Sequence, residues 1–162
     1  VIAFTILGQP CSKSNSRQLV KIGGRPAFIK SKEALAYERD AMLQVPVSAR
    51  QMLDMPVRLS VRVYYASERP DLDLSLIQDI LQARYRRAKG KLVQVAPGEW
   101  KEAPGERILV QRGVYVNDRL VRELHAWHGV DRAHPRAEIE VEPLGPVQPG
   151  LLEQLEAEED PF

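Results

Sequence analysis

Asp71 and Asp73 stand two residues apart behind an Arg-Pro pair, and Asp118 follows the apolar stretch Val114-Tyr115-Val116 with Asn117 beside it. Carboxylates at such places suit a hard divalent cation, Mg²⁺ or alternatively Mn²⁺. These ions take oxygen ligands, keep several waters, and bind through one or two carboxylates together with a substrate phosphate. A cation held this way lowers the pKa of a bound water and polarises a phosphate oxygen, so the chemistry these acids could serve is metal-assisted reaction at a phosphate. Asp71 and Asp73 sit where a strand gives way to a helix, where two carboxylates can converge on one ion. Asp118, at the end of a second apolar stretch and next to the amide Asn117, is the expected third ligand. Read locally, Asp-x-Asp is equally a helix N-cap followed by a first-turn acid that complements the helix dipole.

Two other chemistries use Asp-x-Asp after a strand. In haloacid-dehalogenase-type phosphatases the motif follows its strand directly and continues to Thr or Val, whereas here Glu68-Arg69-Pro70 intervenes and Leu74-Ser75 follows. Nucleotide-sugar glycosyltransferases usually need a longer chain. Neither fits well.

The acids need elements to hold them. Residues 2–7 read as a strand of β-favouring types closed by Gly8 and Pro10, followed by a polar loop from Cys11 to Arg17. Leu19 to Ile22 and Pro26 to Ile29 flank Gly23-Gly24 as a hairpin. Ser31 caps a helix over 32–44, with Ala34, Leu35, Tyr37, Ala41, Met42 and Leu43 at helical spacing and Pro46 beyond its end. Val57 to Tyr65 alternates as a strand with Val57, Leu59, Val61 and Val63 on one face. Arg69-Pro70 breaks it, Asp71 is placed as a cap, and 72–83 reads as an amphipathic helix. Residues 84–112, with Arg84, Arg86, Arg87, Lys89 and Lys91 ahead of Pro97-Gly98 and Pro104-Gly105, read as an inserted excursion with its own hairpin. Val114 to Val116, a strand over 119–127 and a last strand over 137–141 complete an α+β pattern: one domain, residues 1–143, with a mixed sheet and two main helices. Residues 144–162 read as an acidic tail with a short helix around Leu151 to Leu155.

A length of 162 residues suits a single domain, and the one cysteine, Cys11, cannot form an internal disulfide. No apolar run approaches the roughly 20 residues that span a bilayer, and the apolar opening lacks the basic leader of a signal segment. A soluble protein of a reducing, cytoplasmic compartment is expected. Net charge is only +1, yet residues 1–143 carry 23 bases against 17 acids, so the body is basic and its tail acidic. His125, His128 and His134 read as structural, and Trp100 and Trp127 read as core or interface residues rather than base-stacking ones.

The order of motifs carries more than any one of them. Gly8-x-Pro10, a Ser14-Asn15-Ser16-Arg17 loop, a hairpin, a Ser31-Lys32 helix start, a strand, Arg69-Pro70-Asp71-Leu72-Asp73, a helix, Gly113-Val114-Tyr115-Val116-Asn117-Asp118 and a closing strand resemble, from about residue 2 to 142, the RusA family of Holliday junction resolvases. The resemblance implies a Mg²⁺-dependent endonuclease acting on four-way DNA junctions in recombination and repair, working as a homodimer. It implies Asp71, Asp73 and Asp118 as catalytic metal-binding aspartates, with Asn117 as a neutral ligand where the family commonly has Asp. It also implies DNA contacts from the loop and hairpin that carry Lys13, Asn15, Arg17, Lys21, Arg25, Lys30 and Lys32, and from Arg69. Leu74 and Ile77 stand where the family usually has Asn and Lys. A branched-DNA-binding protein of the same fold with weakened catalysis is the alternative expectation.

Overall fold

Val57, Leu59, Val61, Val63 and Tyr65 occupy alternate positions of one nine-residue strand, and all five are at most 1% exposed. Each such side chain contributes roughly 1.5–3 kcal/mol on leaving water. A one-residue slip would turn all of them outward, so the period-two run also dictates register. The computed structural model describes residues 1–12 and 17–145; the expected tail and its short helix lie outside them.

This strand, β4 (Val57–Tyr65), is central in a four-stranded sheet of order β1-β10-β4-β9, with β1 at Ile2–Leu7, β9 at Val121–Val130 and β10 at Arg136–Pro143. β10 runs antiparallel to both β1 and β4, whereas β9 lies parallel to β4. A parallel neighbour requires a long crossover, and everything from Ala66 to Leu120 forms it. The fold is therefore α+β, with a mixed sheet and two α-helices among the described residues.

Helix α1 (Lys32–Gln44) begins at Ser31, whose hydroxyl oxygen accepts from the Ala34 N–H at 3.2 Å, and ends before Pro46. Its buried stripe is Ala34, Tyr37, Glu38 and Ala41. Leu35 and Leu43, expected among the apolar positions, are instead 51% and 81% exposed because they fall off that stripe. Helix α2 (Ser75–Leu81) inserts Leu76, Ile77, Ile80 and Leu81 into the same core.

The second helix is shorter than the expected 72–83, and Asp71 does not cap it. Its start is delayed because the Pro70 and Asp71 carbonyls are bonded to the sheet, which holds this segment out of the helix. Its end comes early because Gln82 turns extended and the Ala83 N–H donates to the Tyr115 carbonyl. Likewise the strand expected over 119–127 begins only at Val121, after a 3-10 turn at Asp118–Leu120.

Two ribbons complete the chain. β2 (Arg17–Ile22) and β3 (Arg25–Lys30) pair only with each other, around Gly23 and Gly24 at positive φ. The excursion forms a long arm: β5 (Arg84–Arg87) pairs with β8 (Arg107–Gln111), and β6 (Lys91–Ala96) with β7 (Glu99–Ala103) at its tip.

Candidate active site

The acid loop is fastened to the sheet at several points. Tyr65, at the end of β4, donates its hydroxyl to the Asp71 carbonyl at 3.1 Å. Its ring packs on His128 of β9, centroids 4.8 Å apart, and His128 Nε2 contacts the Pro70 carbonyl oxygen at 3.1 Å. The Ala66 N–H donates to Gln9 Oε1 at 2.8 Å, tying the first loop to the same strand end. That loop brings Ser12 to Asp73, whose Oδ2 accepts from the Ser12 hydroxyl at 3.0 Å while Oδ1 accepts from the Ser75 N–H at 2.9 Å. Asp73 thus closes the entrance of α2 and is half-buried, whereas Asp71 is exposed. Burial raises the Tyr65 phenol above its ordinary value, and the charges of Asp73 and Asp71 add to it against an opposing backbone hydrogen bond. Both carboxylates therefore lie in the field of one hydroxyl.

Asp118 comes to the other end of α2. The segment before it is wedged between two backbones: Leu53 N–H donates to Val114 O, Val116 N–H to Leu53 O, and Val114 N–H to Leu81 O. Gly113 makes this possible, since a Cβ there would lie 2.3 Å from the Ala83 nitrogen. The buried Tyr115 donates its hydroxyl to the Gln78 carbonyl at 3.1 Å, and the Asp118 N–H donates to Gln82 Oε1 at 3.4 Å. The Tyr115 phenol is pushed far up, first by burial and then by Asp118 and Asp79. Helix α2, about 10 Å long at roughly 1.5 Å per residue, is thus the ruler of the site. Asp73 stands at its entrance and Asp118 is fastened at its exit.

The three aspartates do not form one ligand cage. Among the described residues no three His, Cys, Asp or Glu side chains converge as a group that could hold a metal ion. Asn117 is also committed elsewhere than expected: its side-chain oxygen accepts from the Arg119 N–H at 3.0 Å and from Arg119 Nε at 3.1 Å, capping the 3-10 turn. Both lone pairs of that amide oxygen are used, which leaves none for a cation in this conformation. Asp71 and Asp73 remain a pair of hard donors, enough for a Mg²⁺ ion that keeps its waters and a substrate oxygen.

Of the bases expected to meet DNA, Arg17, Lys21 and Arg25 are exposed on the first ribbon, and Arg69 is exposed beside the acid loop. Lys13 and Asn15 lie outside the described residues. Lys30 has an internal partner instead: its Nζ lies 2.6 Å from Glu38 Oε2 and 4.0 Å from Asp79 Oδ2. Glu38 also takes Arg84, at the root of the arm, and is the one buried charged residue among those described. Burial pushes its carboxyl upward, but the hydrogen bonds and charges of Lys30 and Arg84 outweigh this and hold it below the usual carboxylate range. Lys30, Glu38, Asp79, Gln82, Arg84 and Tyr85 line one polar concavity of about 350 Å³.

Glu38, Asp79 and Gln82 were not among the expected site residues. Helical spacing could have found Glu38, four residues beyond Ala34 and three before Ala41 on the buried stripe. Nothing local marks Ser12 for Asp73 or Gln82 for Asp118, since each pair joins distant segments. A scan against protein-family models and a search of curated proteins both find no match for this chain. Among the described residues no helix is long and apolar enough to cross a membrane.

Proposed function

We propose that this protein is a metal-dependent endonuclease that cuts branched DNA, with the four-way junction as its substrate, inside the reducing interior of a cell. The observation that supports the reading is the placement of the acids. Asp71 and Asp73 sit together on a loop fastened by Tyr65 and His128, with Asp118 secured at the other end of the same short helix. The motif order resembling RusA-type resolvases adds the junction substrate and a place in recombination and repair.

A bound Mg²⁺ would supply an activated water and charge stabilisation on the scissile phosphate. Asp71, exposed and held by its own backbone, would take the ion together with Asp73. Ser12 and the Ser75 N–H would fix the Asp73 carboxylate in one orientation. Asp118 would orient the water or the leaving group from the exit of α2. The exposed cations of the first ribbon, Arg17, Lys21 and Arg25, would contact backbone phosphates and position the DNA without reading its bases. A junction has near-two-fold symmetry and is resolved by paired nicks, so two copies of the chain would act together.

The second reading is a branched-DNA-binding protein with weakened catalysis. Three observations favour it: among the described residues no three acids converge, the Asn117 oxygen is committed to Arg119, and Ile77 is fully buried in the core rather than presenting a cation. Nicking of a synthetic four-way junction in Mg²⁺ or Mn²⁺ separates the two. The nuclease reading expects metal-dependent nicks, abolished by Asp71→Asn, Asp73→Asn and Asp118→Asn while junction affinity persists. Junction binding without nicking in either metal leaves the binding protein, and failure to bind the junction defeats both.

A further inference from the structure

The root of the arm carries a charge arrangement that the fold alone does not explain. Arg87 of β5 faces Arg107 of β8 directly across the ladder, with Arg86 adjacent. Like charges directly opposite each other destabilise a strand pair. The neighbouring Arg84 is neutralised by Glu38, but among the described residues Arg86, Arg87 and Arg107 have no carboxylate partner. The tip differs: Lys101 pairs with Glu99 at 3.5 Å, and Glu102 lies on the same strand. Unbalanced positive charge is therefore concentrated at the root.

Geometry accompanies the charge. Arg86, Arg87 and Arg107 line, with Tyr85, Gln82 and Ala83, an open concavity of about 370 Å³. The Arg107 guanidinium lies 3.9 Å from the Tyr85 ring centroid. Stacking of this kind holds the guanidinium plane by cation–π attraction and leaves its edge N–H groups to donate in pairs to an oxyanion. Gln82 and Tyr85 also line the concavity that contains Lys30 and Asp79, and the Gln82 side chain accepts from the Asp118 N–H. The three free arginines thus adjoin the exit end of the acid-bearing helix.

We propose that Arg87 and Arg107, opposite each other on the ribbon face that carries Tyr85, form a phosphodiester-binding subsite that takes a backbone phosphate of the nucleic-acid strand next to the one presented to the carboxylates. The identity of the ligand rests on the nuclease reading above; the presence of an oxyanion site rests on the arginines themselves. An anion seated between Arg87 and Arg107 removes their repulsion, so strand binding and closure of the arm root reinforce each other.

The test measures affinity for a fluorescent four-way junction in EDTA across a KCl series, for the wild type, Arg87→Gln/Arg107→Gln and the tip control Lys101→Gln. Each phosphate contact contributes about 0.9 to the log-log salt slope, so the double variant, which loses one phosphate, should flatten it by about 0.9 and the tip control should leave it unchanged. In parallel, inorganic pyrophosphate is titrated while the arginine Nε–Hε resonances are followed by NMR. Saturable shifts of Arg87 and Arg107 are expected in the wild type, and none of the remaining arginines should respond in the double variant. An unchanged slope in a double variant that still folds overturns the subsite and leaves the nuclease reading standing. A wild type that binds no DNA yet shows saturable pyrophosphate shifts overturns the nuclease reading and keeps the oxyanion site. A wild type whose arginine resonances ignore pyrophosphate, with an unchanged slope, removes the subsite altogether.

Discussion

Replacing Glu38 by Gln probes the joint on which both ribbons are rooted, because its two oxygens receive Lys30 from the end of β3 and Arg84 from the start of β5. Breaking a fully buried ion pair costs about 3–5 kcal/mol, mostly because a charge is left without a partner. Here the two cations keep 32% and 35% of their side-chain surface in water, so solvent recovers part of that loss. A loss of about 2 kcal/mol is expected at pH 7 for this reason. With a urea slope of about 1–3 kcal/mol per molar for a domain of this size, the unfolding midpoint should fall by roughly 1 M. The pH dependence gives a second, sharper check. The folded Glu38 carboxyl titrates below its ordinary value, so its contribution is complete above the unfolded pKa of about 4.3 and is lost as pH falls through the folded value. The stability gap between wild type and variant should therefore be widest near neutrality and close in acid. A gap below about 0.5 kcal/mol at pH 7, or one that stays constant into acid, would refute the reasoning.

Two other substitutions test how the acids are placed. Tyr65→Phe removes the hydroxyl that holds the Asp71 carbonyl and should cost about 1 kcal/mol in urea unfolding; it should reduce metal-dependent nicking more than junction affinity, and parallel losses of both would argue against a positioning role. Gly113→Ala would drive a methyl group to 2.3 Å from the Ala83 nitrogen and 2.6 Å from the Leu81 carbonyl oxygen. Those atoms are backbone and cannot swing aside, so a destabilisation of about 3 kcal/mol or more is expected, and a wild-type unfolding midpoint would show that the wedge before Asp118 is loose.

The legible parts of the fold were those where one segment decides its own structure. The alternation from Val57 to Tyr65, the Ser31 cap with Pro46 beyond the helix end, the Gly23-Gly24 turn and the Pro97-Gly98 turn all appear where local pattern places them. Errors gathered at ends set by distant partners. Helix α2 lost its first expected turn to bonds from Tyr65 and His128, and its last to Tyr115, all outside the segment whose pattern suggested the helix. Lys30, expected to meet DNA from its place in a basic ribbon, also has an internal partner: Glu38 Oε2 lies 2.6 Å from its ammonium once α1 folds.

The candidate site divides along the same line. Residue type and spacing alone singled out Asp71, Asp73 and Asp118, because a carboxylate beside a break in regular structure is visible in a linear chain. Only the tertiary structure decided that β9 runs parallel to β4 and brings His128 onto Tyr65, and that Gln82 secures Asp118 to the exit of α2. It likewise decided that Arg87 faces Arg107 with no carboxylate partner among the described residues, while Arg84, on the same strand, is neutralised. The physical reason is range: propensity, capping and periodicity act over a few residues, whereas burial and charge pairing depend on which distant segments the closed core brings together.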